Sequence, residues 1–206
     1  PVQGEGGIRI PGPSYLRDLR SLCDRHGLML VLDEVQTGIG RTGTFFAYEQ
    51  AGIRPDIVTL AKSLGNGFPV GAMLATEDAA QAFEPGSHAS TFGGNPLAMA
   101  AVLAVLETIR SDNLLEHCRL MGEYFLDRLR ALKEKHSLIR DVRGLGLLVG
   151  CEVDGDGSRL VVACLRKGLI INCTNGNVLR FAPPLVVTAA DIDRAVEILD
   201  DVLGET

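Results

Sequence analysis

The sequence predicts an α/β fold followed by a smaller α+β region, and three observations lead there. Leu28–Leu32 is an unbroken apolar run set between a helical pattern and a glycine turn, as strands of a parallel sheet covered on both faces read. Two further short apolar strands, "PDIVTLAK" (55–62) and "PVGAMLAT" (69–76), follow before an Ala-rich helical stretch. Beyond residue 136 the texture changes to closely spaced short strands and helices.

Taken in order, Ser14–His26 ("SYLRDLRSLCDRH") has leucines at helical spacing, Ser14 as candidate N-cap and Gly27 as stop. The three strands come next. Asn95–Arg110 ("NPLAMAAVLAVLETIR") predicts a helix with Pro96 near its first position. A long amphipathic helix starts around Ser111–Leu115 and runs to about Lys135. Then come strands in "IRDVRGLGLLVGCEV", a helix in "SRLVVACLRKG", strands "LIIN" and "NVLRF", and a closing helix "TAADIDRAVEILDDVL". The expected division is residues 1–111 and 112–206.

Composition excludes several classes. The 206 residues are 46% hydrophobic and 22% charged with net charge −6, ordinary globular values. No basic tract marks a nucleic-acid footprint, and no apolar stretch is long enough to cross a bilayer. Cys23, Cys118, Cys151, Cys164 and Cys173 are odd in number, form no C-x-x-C pair and have no suitably spaced histidines. Reduced thiols in a cytoplasmic protein and no metal site are expected. The chain opens on Pro1 in turn-rich "PVQGEGGIRIPGP" without an initiator Met, so a fragment of a longer polypeptide is expected.

The stretch "LMLVLDEVQTGIGRTG" (28–43) raises the question of function, because a buried strand ends on two carboxylates. "GIGRTG" fits G-x-G-x-x-G, and Asp56 lies near the distance at which a dinucleotide site places its acidic residue. Against this, Asp33 and Glu34 would repel a pyrophosphate, and "TFFAYEQAGIRP" is short for a crossover helix. Asp33 could instead face a cation: a carboxylate at the C-terminal end of a parallel strand lies where α/β ligands bind, and a permanent positive charge would keep it ionised. Strand position alone leaves equally open a helix-capping Asp, or one paired with Arg41 or Arg54. Lys62 ends the second strand before "SLGNGFPVG". A lysine there is normally a snorkelling surface residue, but beside Asp33 it could capture an aldehyde cofactor. A P-loop is excluded, since Ala61 stands where glycine is required.

Four motifs, "LDEVQTGIGRTGTFFAYE", "PDIVTLAKSLGNGFPVGAML", "GSHASTFGGNPLAMAA" and "NVLRFAPPLVVT", together resemble class III (ornithine-type) aminotransferases of PLP fold type I. Within that family the wording is most similar to bacterial N-acetylornithine aminotransferases. The resemblance covers essentially the whole chain but only the C-terminal half of such a protein. It implies part of the large, mainly parallel-sheet domain plus the small α+β C-terminal domain, with pyridoxal 5'-phosphate as cofactor. Lys62 matches the lysine that holds the cofactor and moves the proton, Asp33 the partner of the pyridine nitrogen, and Gln36 the residue beside the phenolic oxygen. Thr91 matches a threonine reaching the cofactor phosphate of the neighbouring subunit, which implies a homodimer with shared sites. Arg180 matches the arginine that grips the α-carboxylate of 2-oxoglutarate or glutamate, and Glu5 the glutamate that neutralises it when the ω-amino substrate is bound. The implied reaction moves the δ-amino group of N2-acetylornithine to 2-oxoglutarate, in arginine biosynthesis. Ornithine, succinylornithine or 4-aminobutyrate are alternative donors, and the isolated fragment is expected to be inactive. His88 is read as structural and Arg41 as a loop-organising or interface residue.

Overall fold

Helix α1 (Tyr15–His26) forms where the leucine spacing places it, with Leu16 and Cys23 on its buried side and Gly27 closing it at φ 63°. Ser14 occupies the N-cap position but makes no side-chain cap bond. The apolar run after Gly27 narrows to a three-residue strand, β1 (Val31–Asp33). Leu30 and Leu32 point into a cluster with Leu16 and Cys23, whereas Leu28, Met29 and Val31 are each more than half exposed. The expected burial on both faces is therefore met on one face only. The computed structural model describes residues 1–205.

Strand β2 (Ile57–Leu60) lies parallel to β1, pairing Val31 with Ile57, Leu32 with Val58 and Asp33 with Thr59. Strand β3 (Ala72–Ala75) runs antiparallel to β2, so this sheet, in order β1-β2-β3, is mixed. A parallel return needs a crossover of about a dozen residues or more, usually helical. The glycine loop after β2 contains only a 3-10 turn (Lys62–Leu64), and the chain doubles back. The short helix α2 (Glu77–Ala80) is capped by Thr76. Helix α3 (Pro96–Ser111) starts with Pro96 in its first turn and Asn95 as cap, whose Oδ1 accepts from the Ala98 amide at 2.9 Å.

Clustering of backbone contacts separates two compact units: Pro11–Gly40 with Thr44–Leu115 and Pro1, and Val2–Ile10 with Arg41–Gly43 and Glu116 onward. The second holds nearly all of helix α4 (Leu114–Lys135) and the hairpin β4 (Ile139–Leu145) and β5 (Leu148–Val153). Helix α5 (Ser158–Arg166), strands β6 (Asn172–Thr174) and β7 (Val178–Phe181), and helix α6 (Ala189–Gly204) complete it. Its sheet, in order β4-β5-β7-β6, is antiparallel throughout. "LIIN" was expected as a strand, but pairing starts only at Asn172 because that residue is the first to face β7, at Arg180. Phe125, Leu129 and Leu132 of α4 pack with Val149, Cys151, Leu179, Ile192 and Leu199, and Phe125 meets Phe181 edge-on at 5.1 Å. Thr188 and Asp191 form a capping box on α6.

Candidate active site

The two carboxylates that end β1 go separate ways. Along the strand, exposed Val31 and Asp33 alternate with buried Leu32, which puts Asp33 on the open face at the C-terminal edge. Its Oδ1 accepts the Val35 amide at 2.8 Å, an Asx turn that orients the carboxylate. Among the described residues no hydrogen bond reaches Oδ2.

Glu34, one residue on, is only 1% exposed. A lone buried carboxylate would be strongly destabilising, and this one is satisfied by three donors. Its Oε2 accepts from Thr37 Oγ1 at 2.6 Å and from the Ala47 amide at 3.1 Å, and its Oε1 from the Tyr48 amide at 3.0 Å. The sequence reading missed this role. The available signal was a second acid directly after a strand-end acid, where period-2 alternation turns it inward.

The same bonds dispose of the dinucleotide reading. After the glycine loop comes a 3-10 turn (Ala47–Ala51), not a crossover helix, and the amides at its start, which would have faced a phosphate, are taken by Glu34. Asp56 is also occupied: its Oδ2 accepts from Arg20 Nη1 at 2.6 Å and from the Leu30 amide at 2.7 Å. Arg20, and then the Leu30 amide, hold its pKa below the ordinary carboxylate value. Of the alternatives for Asp33, pairing with Arg41 falls away, since Arg41 donates to Leu147 O at 3.2 Å and Pro183 O at 2.5 Å. Burial pushes the Arg41 pKa down. Arg41 is thus a loop organiser, as expected.

Lys62 lies just past β2 as the first residue of the 3-10 turn, not within the strand. Because β1 and β2 are parallel with Asp33 opposite Thr59, Asp33 and Lys62 leave the same C-terminal edge of adjacent strands. Lys62 has φ 44°, a left-handed conformation that costs a non-glycine residue about 1–2 kcal/mol. It is exposed, and among the described residues no carboxylate lies within salt-bridge distance of it. The loop behind it is tight: a Cβ on Gly65 would come within 2.2 Å of Phe68 O and 2.6 Å of Val70 Cγ1. Strain held at an exposed, unpaired amine by a closely packed loop is a mark of a functional position.

Gln36 is half-buried in the turn after β1, which the Gly38 amide closes on Glu34 O at 2.8 Å. Thr91 is exposed in the turn ahead of α3, braced by the Asn95 side-chain amide donating to Phe92 O at 2.9 Å. His88 packs edge-on against Phe83, in keeping with a structural role.

In the second unit, Arg180 Nη1 forms an ion pair with Glu5, and Arg180 Nε donates to Asn172 Oδ1 at 3.1 Å. Sequence reading joined Glu5 and Arg180, 175 positions apart, only through the family resemblance. An open apolar cleft of about 520 Å³, lined by residues such as Phe125, Ile171, Phe181 and Val186, includes neither of them. All five cysteines are free, and burial pushes the Cys151 thiol up to about 12, which keeps it unreactive. No metal-binding cluster exists among the described residues.

The family model for class-III aminotransferases matches residues 1–203. The acetylornithine aminotransferase of Caldanaerobacter subterraneus is 56% identical over 99% of this chain and 52% of its own length. That of Methanothermobacter thermautotrophicus is 49% identical over 100% of this chain and 53% of its own. Among solved structures, acetylornithine aminotransferase from Elizabethkingia anophelis superposes with TM-score 0.94 at 38% identity, covering 100% of this chain and 53% of that one. Ornithine δ-aminotransferase from Plasmodium falciparum gives 0.94 at 35%, covering 100% and 54%. The chain spans about half the length of the curated relatives it matches. Matched by the family model over nearly its whole length and by relatives of shared sequence and fold, the chain belongs to the class-III aminotransferase family.

Proposed function

We propose that this chain is the half of a pyridoxal-phosphate-dependent aminotransferase that anchors the cofactor and binds the carboxylate of the amino acceptor. The proposed reaction transfers the δ-amino group of N2-acetylornithine to 2-oxoglutarate, yielding the semialdehyde and glutamate, as arginine biosynthesis requires. The observation that carries this reading is the shared strand edge of Asp33 and Lys62, the latter held at φ 44°. The residues fit the cofactor: Asp33 Oδ2 is available to a cationic ring nitrogen, and Lys62 Nζ is exposed and unpaired by any carboxylate among the described residues.

When bound, pyridoxal phosphate supplies an electron sink for charge developing at the amine-bearing carbon of the substrate. Everything else falls to side chains. Lys62 Nζ would hold the cofactor and, when free, would act as the base that takes the proton from the amine-bearing carbon. Asp33 keeps the ring nitrogen protonated. Gln36 stands by the phenolic oxygen, and Thr91 reaches the phosphate held by a neighbouring subunit in a homodimer. Arg180 offers a planar fork that fixes a carboxylate in position and angle. Glu5 occupies that fork while the ω-amino substrate is bound and yields it to 2-oxoglutarate or glutamate.

Residues 1–111 belong, on this reading, to the large cofactor-binding domain and 112–206 to the small domain. On this reading the protein works in the cytoplasm; among the described residues no helix is long and apolar enough to cross a membrane. The 206 residues alone would be inactive, because relatives carry about as many residues again. A second donor, ornithine, has the support of the Plasmodium falciparum likeness. The test is transamination by a polypeptide of the relatives' full length. Higher kcat/KM with N2-acetylornithine than with ornithine, succinylornithine or 4-aminobutyrate supports the assignment, whereas preference for one of those three reassigns the donor.

A further inference from the structure

The pairing of the second sheet sets three residues in one cross-strand row. Arg143 of β4 lies opposite Gly150 of β5, and Gly150 lies opposite Arg180 of β7. Register partners project to the same face, so two arginines flank a position with no side chain. The segment Val2–Ile10, which carries Glu5, crosses that position. A Cβ on Gly150 would come within 3.0 Å of Ile8 Cβ and Cγ1, and Ile8 is fully buried at φ 52°.

Arg143 fastens one end of the segment. Its Nε donates to Gly7 O and to Ile8 O, both at 3.1 Å, and its Nη2 to Gly7 O at 2.7 Å. The guanidinium is aimed by two carboxylates, with Nη1 donating to Asp141 Oδ2 and Glu152 Oε2, both at 2.7 Å. Gly7, at φ +96°, presents its carbonyl to this fork. Arg180 fastens the other end through Glu5, and is itself steadied by Asn172. The loop is thus tied down at both ends across a glycine gap.

We infer that Arg143 is a positioning residue for the acceptor site: by clamping Gly7 and Ile8 it holds Glu5 over Arg180, and so sets how readily a dicarboxylate displaces Glu5. This rests on the proposed role of Arg180 as the carboxylate fork. An unclamped loop would leave Arg180 uncovered more of the time. Dicarboxylates would bind more tightly, and an ω-amino donor, which needs Glu5 in place, more weakly. The side chain matters as a fork, since lysine keeps the charge but cannot hold two carbonyls in that geometry.

The experiment uses the cofactor-loaded, full-length protein and the unreactive dicarboxylate glutarate as probe. Arg143→Lys and Gly150→Ala, the second of which presses a Cβ against Ile8 while keeping both arginines in the sequence, should each tighten glutarate binding by about fivefold or more and raise KM for the amino donor. In a Glu5→Gln background the same two substitutions should change glutarate affinity less than about twofold, because a residue acting through Glu5 has nothing left to act on. Hydrogen exchange across residues 2–10 should quicken in Arg143→Lys. Equal effects with and without Glu5, or unchanged exchange in that segment, would overturn the clamp. If Glu5→Gln alone leaves glutarate affinity unchanged while exchange still quickens, the clamp stands as a structural tie. The carboxylate role of Arg180 then fails, and the selectivity inferred from it fails with it.

Discussion

At the residue scale, the site is legible as a departure from ordinary preference. A lysine at φ 44° is held in a conformation that glycine adopts without cost. Lys62→Gly should therefore stabilise the protein by about 1 kcal/mol, a rise in Tm of roughly 2–4 °C for a chain of this size, while abolishing transamination. Calorimetry and an activity assay check both halves, and a drop in Tm would mean that the loop does not impose the strain. Asp33 and Lys62 stood out in the sequence as charges ending two apolar runs, but position alone left a capping or paired Asp33 and a snorkelling Lys62 open, and the family resemblance supplied their expected roles. Glu34 and Arg143 did not stand out. Each looks like one more surface charge until the fold shows Glu34 beneath Ala47 and Tyr48, and Arg143 against a loop 135 and 136 positions away. Glu34 had one local signal, its place directly after Asp33 where alternation turns it inward, whereas local spacing contains no trace of the contacts Arg143 makes.

At the scale of elements, α1, β1 and β2 meet on the carboxylate of Asp56, which receives Arg20 from the helix and the Leu30 amide from the start of the strand. Asp56→Asn should cost about 2 kcal/mol at neutral pH, within the range for hydrogen bonds to charged groups. The folded pKa of Asp56 is depressed, so its contribution is fully present above the unfolded value, about 3.9, and is lost as pH falls through the lower folded value. Acid unfolding checks the sign: the gap in stability between wild type and Asp56→Asn should shrink as pH drops below about 4. A gap that widens in acid would contradict the assignment. Helices were well marked in the sequence, because caps and stops such as Asn95 and Gly27 are local chemistry. Strand direction was not, since "PVGAMLAT" reads the same whether parallel or antiparallel, and the length of the preceding loop decides.

At the scale of the molecule, the first sheet is apolar where it is bare. Leu28, Met29, Val31, Met73 and Leu74 are exposed on β1, on β3 and just ahead of β1, although sheets with parallel pairs are normally covered on both faces. Relatives about twice as long share this fold. The 206 residues alone should therefore bind a hydrophobic dye strongly or aggregate beyond a dimer, and a polypeptide of the relatives' length should bind little dye and stop at the dimer. Light scattering and dye fluorescence, compared at equal concentration, decide this. The central claim is that Asp33 and Lys62 serve one bound cofactor. Its most direct measurement is borohydride reduction of the full-length, cofactor-loaded protein followed by peptide mapping. The predicted result is a single pyridoxyl tag on Lys62, retained at lower occupancy in Asp33→Asn. A tag on any other lysine, or no tag at all, would contradict the account.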